Sequence, residues 1–340
     1  MTRLYGAIDL HSNNSVLVVL DEHDRVVFER RLRNDLPLIL GQLSSYREGL
    51  QGIAVESTYN WYWLVDGLME AGYPVKLVNT AAVKTYDGLK YAGDEHDARH
   101  LAHLLRLGVL PTGYIYPKEE RAVRDLLRKR AQLVRCRTAQ ILSIQNLVSR
   151  NSGKGISTGD IRQLDADEID RACGGDEIRG LAIESNLAVL RCLDEQTRRL
   201  ERIVLERARL KPAFEKLLSV DGIGKIIGMT IMYEAGSMER FAKVGQFASY
   251  ARCVSSSRWS NGKKKGEGNR KNGNKYLAWA FIEAAHFAVR YNERIRSYFQ
   301  RKKAKKNGIV AIKAVAHKLA RACYHVLKEQ APFDEARAFA

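Results

Sequence analysis

The chain has 340 residues, is 45% hydrophobic with a mean hydropathy of -0.32, and carries a formal charge of +17 at a pI near 9.7. That is room for two or three domains with real cores, and the charge favours a polyanionic partner, most simply nucleic acid. Cys136, Cys173, Cys192, Cys253 and Cys323 form no CxxC pair, which argues against a zinc ribbon and a disulfide framework, and no apolar run approaches the ~18 residues of a membrane span. With no signal-like N-terminus, the expectation is a cytoplasmic, nucleoid-associated protein with no membrane partner.

Arg3 to Ser12 reads as a short apolar strand ending in a carboxylate, Asp9. Ser15–Leu20 and Val26–Arg30 are two further strands separated by the polar turn Asp21-Glu22-His23-Asp24, so the three make a meander. Leu36–Leu43 reads as a helix and Ile53-Ala54-Val55 as a buried strand ending at Glu56. Trp61–Ala71 reads as a helix stopped by Gly72, Val75–Val78 as a strand, and Asp94–Leu107 as a helix ended by Gly108 and Pro111. A meander followed by βαβα is the order of an RNase H-like fold; a doubly wound nucleotide fold does not usually begin that way.

Within this block Asp9, Glu56, Asp94 and Asp97 are four acids at strand ends and on one helix face. Two hard cations need such a set, because Mg²⁺ (or Mn²⁺) prefers carboxylate oxygens and water. Taken alone, Asp94 and Asp97 also fit helix capping, with Asp94 at the N-cap; Asp9 and Glu56 in the same block favour the metal reading. His96, His100 and His103 share the helix but lack the glutamate of HExxH, and read as surface or packing residues.

From Lys118 the texture changes. Val123, Leu127, Val134, Ile141, Ile144 and Val148 follow a three-four repeat interrupted by Arg130 and Arg137, and Leu190, Leu193, Thr197, Leu200 and Val204 keep the same spacing. Asn151–Gly180 between them is rich in Gly, Ser and Asp and reads as a loop. Two long helices of this kind make an antiparallel coiled-coil arm, a dimer seam, or an ordinary helical hairpin within one subunit.

The third block opens at Leu217–Met229. Its apolar-Gly-apolar-Gly pattern around Gly222 and Gly224 resembles a helix-hairpin-helix, whose turn offers backbone N–H groups to a DNA phosphate; a plain glycine turn without ligand is the alternative. A helix over Val244–Tyr250 precedes the most basic, glycine-rich stretch, with Arg252, Arg258, Ser260, Asn261, Lys263, Lys264, Lys265, Arg270 and Lys271. As a loop this stretch can order along a phosphate backbone. An amphipathic helix over Lys275–Tyr291 and the basic run Arg301–Lys306 follow.

The series DLHSNN, VES, GDEHDARHLAHLLRLG, LLSVDGIGKIIGMTI and SNGKKKGEGNRKNGNKYL resembles, along nearly the whole chain, the DEDD transposases of the "IS one-ten" insertion-sequence family, which includes bridge-RNA-guided recombinases and is related to a pilin-gene invertase. The resemblance implies a fold of class α/β plus α. A RuvC-like domain spans 1–115, a coiled-coil helical arm 116–212, and a mainly helical transposase domain with a helix-hairpin-helix-like motif 213–340. It implies metal on Asp9, Glu56, Asp94 and Asp97, and a serine nucleophile, Ser260, placed by counting back from Arg270-Lys271-Asn272-Gly273-Asn274. Arg252, Arg258, Lys263, Lys264, Lys265, Arg270, Lys271, Lys275, Gly222 and Gly224 are the expected nucleic-acid contacts. The partners implied are donor and target DNA, a structured bridge RNA and further copies of the chain, as a dimer or tetramer. The chain departs from the family pattern at Cys253-Val254-Ser255 and at Asn261, where a glycine is usual.

The activity implied is site-specific cutting and exchange of DNA strands. A RuvC-type junction nuclease using metal-activated water is the alternative. A sugar-kinase-like ATPase needs glycine-rich phosphate loops after the first acid, and Asp9-Leu10-His11-Ser12-Asn13 has none; a binding protein with decayed acids is disfavoured by the complete acid set.

Overall fold

Runs of β-branched and other apolar residues pair into one mixed sheet of β1 (Leu4–Leu10), β2 (Asn14–Asp21), β3 (Val26–Arg33), β4 (Leu50–Glu56) and β5 (Val75–Val78). The structure, a computed structural model, describes residues 2–83, 93–254, 257–267 and 272–339. Strand order is β3-β2-β1-β4-β5. The first three strands form an antiparallel meander, β4 runs parallel to β1, and β5 runs parallel to β4. Helix α1 (Leu36–Leu43) links β3 to β4, α2 (Tyr62–Glu70) links β4 to β5, and α3 (Asp94–Arg106) follows. Asp35 caps α1 by accepting from the Leu38 N–H, and Gly72 ends the α2 segment in the left-handed region at φ 82°. This is the architecture of an RNase H-like domain.

Strand alternation divides the sheet's side chains between two cores. Ile8, Leu10, Leu17, Val19, Ile53 and Val55 pack with Ile39 and Leu43 of α1 and Leu64 and Leu68 of α2. Ala7, Val16, Val18, Leu20 and Ala54 pack with Ala98, Leu101 and Ala102 of α3. Asp9 and Glu56 lie two residues beyond Ala7 and Ala54, so both belong to the face covered by α3.

The chain divides into two compact units, residues 1–118 with 256–272 and residues 119–255 with 273–340. In the second, α4 (Lys118–Ser152) and α7 (Glu177–Arg209) pair in antiparallel sense within the chain. The arginines that interrupt the apolar repeat bridge the pair: Arg130 binds Glu201 at 2.7 Å and Arg137 binds Asp194 at 3.0 Å. The expected loop between them instead carries α5 (Thr158–Gln163) and α6 (Ala166–Cys173). Ser157 caps the first, and Asp165 and Glu168 form a capping box on the second. Ile161, Leu164, Ile169 and Cys173 then bury against Ile144 and Val148 of α4 and Ile183 and Leu187 of α7.

The rest of this unit is helical: α8 (Pro212–Leu218), α9 (Lys225–Ala235), α10 (Val244–Tyr250), α11 (Lys275–Tyr291), α12 (Glu293–Lys305), α13 (Gly308–Glu329) and α14 (Glu335–Ala338). Its core joins Phe214, Phe247, Phe281, Leu319 and Tyr324. The basic stretch expected as a loop contains a hairpin of β6 (Ser257–Ser260) and β7 (Lys263–Glu267). Asn261 and Gly262, at φ 49° and 69°, supply the two left-handed residues of a tight primed turn. No helix among the described residues is long and apolar enough to cross a membrane.

Candidate metal centre and nucleic-acid interface

Parallel pairing of Ile8 with Val55 brings the next residues, Asp9 and Glu56, side by side at the ends of β1 and β4. Their carboxyls share a hydrogen bond. Partial burial, that hydrogen bond and the charges of Asp9 and Asp97 push the Glu56 carboxyl up to about 8. Asp9 is itself 4% exposed, so the crowding is not relieved by water.

Helix α3 brings the other two acids. Asp94 is its first residue, with Gly93 rather than Asp94 at the N-cap, so its carboxylate is not spent on capping. Four contacts fix α3 to the meander. Arg99 forks onto Glu29, Arg106 and His103 bind Asp24, and Arg31 binds Asp94 at 2.7 Å. Arg31 holds the Asp94 carboxyl below the usual carboxylate range.

His11 is the residue that sequence reasoning missed. Its Nε2 lies 3.2 Å from Asp9 Oδ2 and 3.2 Å from Asp94 Oδ2, yet is buried without the alignment of a hydrogen bond to either. Its backbone carbonyl accepts from both Asn34 Nδ2 and Asn60 Nδ2 at 3.0 Å, which pins the residue just beyond β1. The signal was the spacing: two residues after Asp9, on an extended chain, is the same side. Arg31 carried no local signal, because only meander pairing brings β3 to α3.

Asp9, His11 and Asp94 offer ligand atoms within 4.8 Å of one another, with Glu56 bonded to Asp9 and Asp97 close enough to act on Glu56. The acid crowding, the proton retained by Glu56 and the unaligned His11 nitrogen all fit a hard divalent cation.

A pH dependence follows. Between the usual carboxylate range and about 8, the folded protein binds a proton at Glu56 that the unfolded chain has lost, so unfolding free energy falls as pH rises through that window. In chelator, the melting temperature of the wild type relative to Glu56→Gln is expected to drop between about pH 5 and about pH 8. Mg²⁺ is expected to stabilise the wild type more at the upper end, because binding displaces the proton. A difference that stays flat across the window would contradict the assignment.

The other expected site residues fall into four groups. Ser260, Lys263, Lys264 and Lys265 are exposed on the β6–β7 hairpin, with Ser260 paired to Lys263 across the turn. Arg270, Lys271 and the Arg258 side chain lie outside the described residues. Arg252, itself at φ 56°, donates from Nη2 to the Gly273 carbonyl at 2.9 Å, and Lys275 lies over the Tyr276 ring. Gly222, at φ 83°, approaches α11 so closely that a Cβ would sit 2.2 Å from the Ala284 carbonyl oxygen; packing explains this glycine. Gly224 is the N-cap of α9 and leaves the helix's first N–H groups without a side-chain cap.

An RNase H-like sheet with converging acids defines a nucleic-acid-processing protein whose acid set points to a divalent cation. A model of the IS116/IS110/IS902 transposase family matches residues 214–300, and the DEDD transposase domain of IS110 elements matches residues 7–151. A probable family 20 transposase of Pseudomonas aeruginosa is 26% identical over 80% of this chain and 80% of its own length. The transposase for insertion sequence element IS1111A of Coxiella burnetii is 23% identical over 84% of this chain and 77% of its own. The chain belongs to the IS110 family of insertion-sequence transposases, enzymes that cut and rejoin DNA.

Proposed function

We propose that the chain is a site-specific recombinase with a RuvC-like acid centre on Asp9, Glu56, Asp94 and Asp97, assisted by His11, and with Ser260 as nucleophile. The observation that carries this reading is the convergence of Asp9, Glu56 and α3 at adjacent strand ends in a transposase chain. When bound, Mg²⁺ or Mn²⁺ supplies Lewis-acid polarisation of the phosphate and offsets its charge. Asp9, Glu56, Asp94 and Asp97 hold it, and the Asn34 and Asn60 amides hold His11 in position.

Ser260 Oγ forms a bond to phosphorus as the bond to one deoxyribose oxygen breaks. The serine proton passes to a base, and the leaving oxygen receives a proton. The phosphoserine ester preserves the phosphodiester energy for rejoining without ATP. Lys263, Lys264, Lys265, Arg258, Arg270 and Lys271 offset phosphate charge along the hairpin, while Gly224 at the helix-hairpin-helix-like turn offers N–H groups of α9. A two-stranded hairpin is only marginally stable alone, which suits ordering on DNA.

The domain reading remains 1–115, 116–212 and 213–340, with 116–212 as a coiled-coil arm. In this reading the enzyme acts in the cytoplasm on nucleoid DNA, as a dimer or tetramer, with a structured bridge RNA selecting donor and target.

Trapping the reaction on nicked or phosphorothiolate DNA tests the nucleophile. A denaturant-resistant protein–DNA adduct is expected from the wild type and from Ser257→Ala, and none from Ser260→Ala. The reverse pattern moves the nucleophile to Ser257.

A further inference from the structure

On the helical arm, α4, α5 and α7 enclose a cavity of about 510 Å³. Four arginines line it, Arg137, Arg162, Arg191 and Arg198, over an apolar floor of Leu187 and Leu190, with Asp194 among them. Each guanidinium is held in place. Arg137 Nη1 donates to Asp194 Oδ1 at 3.0 Å and Arg162 Nε to Asp194 Oδ2 at 3.1 Å. Arg191 Nη2 donates to the Leu164 carbonyl at 3.0 Å, and Arg198 Nε to the Asp194 carbonyl at 3.3 Å.

One carboxylate therefore faces four cations, and both of its oxygens are engaged. A guanidinium has five N–H donors, so most of the donors here are not used by these contacts. Arg137 Nε is buried without a hydrogen-bond partner. A pair needed only to join α4 to α7 requires one arginine, as Arg130 with Glu201 shows. The excess has the properties of an anion site: planar forks and surplus positive charge beside a buried leucine pair, with Arg191 and Arg198 open to an incoming ligand.

We propose that this pocket binds backbone phosphate of a nucleic acid, giving the arm a contact of its own in addition to the basic hairpin. Three surplus charges suit successive phosphates of one strand better than a single carboxylate. The inference deepens the reading of the chain as a nucleic-acid enzyme and rests on it; RNA and DNA share the ligand chemistry, and the test separates them.

The experiment uses the full-length protein, a DNA duplex from the element's end and a structured RNA transcribed from its flank, with affinity measured across a salt series. Arg191→Gln/Arg198→Gln leaves the Asp194 carboxylate and both of its partners intact. For the ligand that lies on the arm, the slope of log affinity against log salt is expected to fall by about one to two. A fall with RNA assigns the pocket to the guide, and a fall with DNA assigns it to the recombining strands. Asp194→Asn adds surplus charge and is expected to steepen the slope for that same ligand, which a damaged arm would not do. Unchanged slopes for both ligands overturn the proposal, as does weaker binding at an unchanged slope. The Ser260 adduct assay reads the chemistry independently, and equal affinity for unrelated RNAs would remove guidance while leaving the pocket's slopes as they are.

Discussion

Asp9→Asn is expected to abolish DNA strand cleavage while leaving the fold and DNA affinity in place. Asp9 is the hub of the acid centre: it is hydrogen-bonded to Glu56, 3.2 Å from His11 Nε2 and 4% exposed. An amide keeps the shape but removes the charge a cation needs. Loss of an outer-shell partner costs a metal site about 10–100-fold, so loss of a central ligand should exceed that. The variant also separates catalysis from folding. Removing the Asp9 charge relieves Glu56, so the metal-free protein should melt no lower than the wild type at about pH 8, and Mg²⁺ should no longer raise its melting temperature. An Asp9→Asn protein that cuts DNA in Mg²⁺ near the wild-type rate would remove Asp9 from the centre.

How much of this was legible depended on whether the signal was local. Asp9 and Glu56 could be read because each ends an apolar strand, and a βαβ order places such strands next to each other. Asp94 and Asp97 were legible as a helix-start pair. The roles around them were not: Arg31 reaches Asp94 only through the β2–β3 pairing, and His11 lies near Asp94 only once α3 covers the sheet. The hairpin had its signal in Asn261-Gly262, which read as a departure from a family glycine; a primed turn requires left-handed residues, and Asn suits one. On the arm, Arg130 and Arg137 looked like faults in an apolar seam. Their partners Glu201 and Asp194 lie on a helix whose register depends on α5 and α6, and no periodicity fixes that register.

Glu234→Leu is expected to destabilise the second unit by about 3–5 kcal/mol, the usual cost of removing one partner from a buried ion pair. Glu234 is 1% exposed on α9 and accepts Arg128 Nε at 2.6 Å, Arg128 Nη2 at 2.8 Å and Asn274 Nδ2 at 2.7 Å. Asn274 in turn caps α11 through the Tyr276 and Leu277 N–H groups, and its own N–H donates to the Tyr250 carbonyl at 2.6 Å. Arg128 also lies over the Tyr276 ring, 4.9 Å from its centroid. One carboxylate therefore ties α4, α9, α10 and α11 together beside Gly273, whose carbonyl accepts from Arg252. Leucine has a similar volume but removes the acceptor that Arg128 and the Asn274 amide share, and leaves that amide only the longer contact to Tyr250 Oη at 3.4 Å. For a unit of this size the loss corresponds to a fall in melting temperature on the order of 10 °C. Arg128→Met/Glu234→Leu should recover much of the stability, because the stranded charge is removed with its partner. The Asn274 amide keeps only its longer contact to Tyr250 Oη, so the capping of α11 should recover less than the melting temperature does. A single variant that loses less than about 1 kcal/mol would mean that water replaces the carboxylate, and the network would then not be what holds these four helices.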